Sequence, residues 1–126
     1  MHPFRVAIEA RDLDALTGLL SDDVEFRSPA VFRPYQGREA VMTVLRAAIR
    51  VFDDFRYVRE IGAPESPEHA LVFTARVGDR DVEGCDFVRL DEQGRVDELV
   101  VMVRPMSGLI ALASAMGAEL GGPPGE

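Results

Sequence analysis

The chain has 126 residues, enough for one domain with its own core, and its 47% hydrophobic and 29% charged content is that of a globular protein. Lys and Arg total 14 against 22 Asp and Glu, a formal net charge of -8 with no Lys/Arg run, which argues against nucleic acid and anionic lipid as partners. One cysteine, Cys85, excludes an internal disulfide and a thiolate zinc cluster.

Phe4, Val6, Ala7, Ile8 and Ala10 recur with a helical period and predict a first helix. The residues before it lack the charged and apolar regions of a signal peptide, and no apolar run approaches the roughly 20 residues that span a bilayer, so a cytoplasmic location is expected. Asp12 is placed to cap a second short helix with Leu13, Leu16, Leu19 and Leu20 on its buried side, ended by Ser21-Asp22-Asp23. Val24-Glu25-Phe26-Arg27 alternates like a strand, and Ser28-Pro29 stops it before a loop that runs to Gly37. Residues 38–52 carry Val41, Val44, Leu45, Ala48, Ile49 and Phe52 at helical spacing. From residue 53 the period changes to that of a long strand through Ile61. Strands over 70–77, 80–90 and 95–104 follow, joined by Gly78-Asp79 and Asp91-Glu92-Gln93-Gly94. Pro105 breaks the last strand, a helix is predicted over 106–120, and the Gly/Pro-rich residues 121–126 read as a disordered tail. One domain over 1–120 results.

Helices first, then a meander of strands, then a helix make an α+β fold. The expected form is a cone-shaped, strongly curved antiparallel sheet with helices packed across its concave face. Such a cone encloses a cavity suited to a small apolar ligand with few polar fixing points. One residue breaks the apolar pattern. In the strand over 80–90, Val82, Gly84, Asp86, Val88 and Leu90 share a face that is apolar except for Asp86. A carboxyl group there is expensive to ionise, so its pKa rises, and it can donate a hydrogen bond to an oxyanion or act as a general acid or base. The alternative is a structural aspartate, satisfied by backbone groups or by an arginine such as Arg104.

Three segments carry a resemblance. Glu9-Ala10-Arg11-Asp12-Leu13-Asp14-Ala15-Leu16, continued by Leu19-Leu20-Ser21-Asp22-Asp23-Val24-Glu25-Phe26, resembles the start of SnoaL-like domains and ketosteroid isomerases in the nuclear transport factor 2-like superfamily. Pro34-Tyr35-Gln36-Gly37-Arg38-Glu39-Ala40-Val41 resembles their loop-to-helix entry, and the stretch from Glu83 through Gly94 to Val96 their penultimate hairpin. Carried over residue by residue, Asp86 stands eight before the turn Gly94, at the place of the oxyanion-hole aspartate of ketosteroid isomerases. The place of the general-base aspartate holds Ser28, before Pro29, and that of the oxyanion tyrosine holds Phe4. Two of three catalytic groups of that mechanism are therefore missing. The Arg-x-Asp pair of limonene epoxide hydrolases is here Gly84-Cys85-Asp86, without the arginine, and His69, the one internal histidine, reads as an exposed turn residue. SnoaL-like polyketide cyclases use an acidic residue as acid/base, a role open to Asp86.

The resemblance and the residues leave three functions. The first is a cofactor-independent, metal-free isomerase, cyclase or lyase acting on a small apolar oxygenated molecule, with Asp86 as acid/base or hydrogen-bond donor and Arg104 orienting it. Phe26, Tyr35, Phe55, Tyr57, Phe73, Val88 and Met102 are then the expected pocket lining. The second is a non-catalytic binder of such a molecule. The third is an interaction module. Under all three the resemblance implies a homodimer, paired through the opposite sheet face with Val58, Cys85, Phe87 and Val101.

Overall fold

Capping chemistry starts both N-terminal helices. In the computed structural model, which describes residues 1–121, His2 Nδ1 accepts the Phe4 N–H at 3.1 Å and Pro3 begins α1 (Pro3–Ala10). Asp12 accepts the Ala15 N–H at 3.0 Å and starts α2 (Leu13–Leu19). Then come β1 (Leu20–Arg27), β2 (Tyr35–Gln36), α3 (Arg38–Val51), β3 (Asp53–Ile61), β4 (Glu68–Val77), β5 (Arg80–Leu90), β6 (Val96–Arg104) and α4 (Met106–Glu119). Of the expected tail at 121–126, Gly121 closes the turn after α4 and residues 122–126 lie outside the described residues.

β1 begins four residues earlier than its alternation predicts. Ser21-Asp22-Asp23 is not a helix-ending turn, because Leu20 and Ser21 are buried and the Arg38 guanidinium holds the backbone extended. Arg38 donates to the Leu20 carbonyl at 2.9 Å and pairs with Asp22 at 2.7 Å, fastening the start of α3 to β1. Gly37 precedes that helix at φ +93, a conformation side chains resist, and donates to the Val24 carbonyl at 2.8 Å.

The six strands form one open α+β sheet in the order β2-β1-β6-β5-β4-β3. Every neighbouring pair is antiparallel except β1 and β6, which run parallel, with Phe26 beside Leu99. The meander β3–β6 is antiparallel as predicted, while β1 joins it only after a long crossover, and crossovers permit parallel pairing. His69 lies in β4 and not in a turn. It is half-buried, its ring edge-on to His2 with centroids 4.7 Å apart.

Val82, Gly84, Asp86 and Val88 face inward on β5, and α1, α3 and α4 cover that side. The core runs from Phe4, Leu16, Leu20 and Val24 through Val41, Leu71, Val88 and Leu99. Val58, Phe87 and Met102 are exposed, with Phe87 and Met102 on the outer sheet face. Val101 is not on that face: it pairs with Asp86 and therefore points inward.

Candidate functional site

Asp86 is 6% exposed, one of two buried polar or charged residues among those described. β5 places it on the inner face, and its Oδ2 accepts a 2.5 Å hydrogen bond from the Tyr57 hydroxyl two strands away on β3. The Tyr57 ring, itself 4% exposed, reaches across β4 because Phe73 and Phe55 support it. Phe55 stacks on Phe73 at 4.7 Å and meets Tyr57 edge-on at 5.0 Å. Phe73 has room because its β5 neighbour is Gly84: a Cβ there would lie 2.7 Å from the Met102 carbonyl oxygen and closer still to Phe73 Cζ.

These groups wall a cavity of about 490 Å³ between the sheet and α1, α3 and α4. Most of its lining is apolar, and two carboxylates, Asp86 and Glu9, reach it. Burial pushes the Asp86 carboxyl up to about 7, although the Tyr57 hydrogen bond favours the charged form. Burial, and then the neighbouring Asp86 charge, holds the Tyr57 phenol well above the ordinary tyrosine range. Below pH about 7 the site thus offers a neutral carboxylic acid. Its Oδ2 already receives the phenol proton, leaving Oδ1 to carry the acid proton for a ligand.

Of the expected lining, Phe26, Tyr35, Phe55, Tyr57 and Phe73 reach the cavity. Val88 is buried in the core and does not line it. Met102 is 57% exposed on the outer face beside Cys85, and Val101 takes the inward place. Arg104 does not orient Asp86. It stands opposite Glu83, bonds it at 3.0 Å on the outer face, and leaves Asp86 to Tyr57. Its distance along β6 explains this, since Val101 opposes Asp86 and three residues on is the other face.

Ser28 and Phe4 also line the cavity, without a carboxylate or hydroxyl pair of the kind the ketosteroid isomerases place there. Glu9, near the end of α1, also reaches the cavity and carries no mark of it in the sequence pattern. Its Oε2 accepts the Tyr57 backbone N–H at 3.0 Å, and Arg5 donates to its Oε1 at 3.4 Å. Among the described residues no group of three His, Cys, Asp or Glu is placed to hold a metal, and no helix is long and apolar enough to cross a membrane.

Residues 3–99 match the family model of the SnoaL-like domain. No curated protein matches the chain. Among solved structures it is similar to a steroid delta-isomerase from Pseudomonas aeruginosa, with 42% identity and a TM-score of 0.88 over 94% of this chain and 86% of that one. It is similar too to an uncharacterised bacterial protein with a cystatin-like fold from Silicibacter pomeroyi, with 34% identity and a TM-score of 0.89 over 95% and 86%. A nuclear transport factor 2-like protein of unknown function from Cytophaga hutchinsonii, 17% identical with a TM-score of 0.63 over 83% and 87%, shares the fold.

Proposed function

The chain belongs to the SnoaL-like domain family, and from that premise we propose that it is a cofactor-independent enzyme of the isomerase or cyclase type. In this reading a small, mostly apolar carbonyl compound occupies the cavity, and Asp86 donates a hydrogen bond to the carbonyl oxygen. The observation that carries it is the Tyr57–Asp86 pair at 2.5 Å on an otherwise apolar wall. A neutral acid on an apolar wall stabilises charge developing on oxygen more strongly than water does, because the donor is already oriented. Tyr57 is the positioning residue: it fixes which carboxyl oxygen is left for the ligand. The name of the Pseudomonas aeruginosa relative, a steroid delta-isomerase, supports an isomerase reaction on a steroid-like, mostly apolar molecule.

β-Tetralone tests this, because its carbonyl accepts hydrogen bonds and donates none. Its affinity, followed through the carbonyl carbon resonance, is expected to fall as pH rises through about 7 and Asp86 loses its proton. Asp86→Asn should remove that pH dependence, and Asp86→Leu should weaken binding by about tenfold. Affinity that is flat with pH in the wild type and unchanged in Asp86→Leu would remove Asp86 from ligand binding.

A further inference from the structure

We infer that the loop between β1 and β2 is a lid for this cavity, with Phe32 as the group that turns from solvent onto a bound ligand. The inference rests on the cavity being a ligand site and stands apart from what Asp86 does there.

Three observations carry it. The first is where the loop lies. Lining residues that are also exposed mark the mouth of the cavity, among them Ala30 from the loop, Thr43 from α3, and Leu120 and Gly121 at the end of α4. Pro29, Ala30 and Val31 form part of the wall, and Phe32 is the next residue. Consecutive Cα atoms are about 3.8 Å apart, so a turn of the backbone at the tip brings the ring to the mouth without moving the ends of the loop.

The second is the state of Phe32 itself. It is 93% exposed, more than any other large apolar residue described. Single exposed apolar residues are common on protein surfaces and mean little alone. This one stands beside an apolar opening, where contact with a ligand removes ring area from water and is favourable in proportion to that area.

The third is how the loop is held. The backbone groups of Val31, Phe32 and Arg33 make no hydrogen bond among the described residues, so moving the tip breaks none. The ends are pinned. Ser28 Oγ accepts the Ala30 N–H at 3.0 Å, and the rings of Pro29 and Pro34 restrict the backbone on either side. Phe26 and Tyr35, paired across β1 and β2, both stand on the cavity wall with ring centroids 6.0 Å apart. A free tip between fixed ends can close as a hinged loop. Closed, the ring covers the mouth, slows the escape of the ligand and keeps water from its polar contacts.

The chain has no Trp, so Phe32→Trp installs a single indole at the tip. Its emission should shift to the blue when β-tetralone fills the cavity, with binding followed independently through the carbonyl carbon resonance. Phe32→Ser should release the ketone at least about fivefold faster than the wild type by NMR line-shape analysis, with association nearly unchanged. Its urea midpoint should match that of the wild type, because Phe32 is outside the core. Emission that does not move with the ketone bound, or release from Phe32→Ser as slow as from the wild type, overturns the lid and leaves the Asp86 site standing. Failure of the ketone to bind the wild type at all strikes the ligand site first, and the lid with it.

Discussion

Asp86, buried and costly to ionise, is also the site residue most legible in the sequence. A carboxyl group at an inward strand position is conspicuous because the alternation of Val82, Gly84 and Val88 around it is otherwise apolar. Its partner was harder to see. Tyr57 was legible as a cavity residue, but its hydrogen bond spans β4, and no local pattern in β3 or β5 reports a contact between strands that do not touch. Because that bond favours the ionised carboxylate, Tyr57→Phe should move Asp86 further upward from about 7, by carbon NMR of the carboxyl. A midpoint that stays or falls would show that the phenol does not hold the charged form. Glu9 was illegible for a different reason. An acid on a short helix has the sequence context of a solvated one, and only the docking of α1 on the β3 backbone brings it to Tyr57.

At the scale of elements, the helices and the meander were readable from period and punctuation, and the errors sit where period is absent. β6 runs Leu99-Val100-Val101-Met102-Val103, five apolar residues with no polar beat to say which face is which. The pattern therefore puts Met102 and Val101 on each other's faces, and Arg104 with Met102. β5, with Glu83 and Arg89 marking its outer side, left no such freedom. The short β2 and the early start of β1 depend on the Arg38 contacts and the Glu25 pairing, which are tertiary. β5 also holds the residue on which the aromatic wall turns. Gly84→Ala forces a methyl group into the space of Phe73 and the Met102 carbonyl, and Phe73 must give way against Phe55 and Tyr57 or into the cavity. The variant should lose about 1–3 kcal/mol in urea unfolding and bind β-tetralone more weakly. Full retention of both would mean that the wall repacks freely.

For the whole molecule, a raised carboxyl pKa is a statement about stability. Asp86 sits at about 7 when folded against an ordinary value of 3.8. Between these the native state keeps a proton that the unfolded chain has released, so the group's contribution falls as pH rises from about 4 and levels off above about 7. The penalty there is about 4 kcal/mol. Asp86→Asn, which cannot ionise, should therefore gain on the wild type as pH rises, with the gap in unfolding free energy widening from acid to mildly alkaline conditions. A gap that is constant with pH would mean that Asp86 ionises as easily folded as unfolded. The protein keeps a site that weakens it under the conditions where most carboxylates strengthen their folds.

The parallel seam between β1 and β6 has a consequence in time. The meander can assemble hairpin by hairpin, each strand meeting one just made. β1 is made first among the long strands, yet its partner along Phe26, Leu99 and their neighbours is made last. Until β6 emerges during synthesis, Leu20, Val24 and Phe26 have no sheet to lie on, and α1 has no finished cavity to roof. Joining such distant segments is slow, and the chain exposes its N-terminal apolar residues while it waits. The half-made chain, more than the finished one, is the form that depends on help from its surroundings.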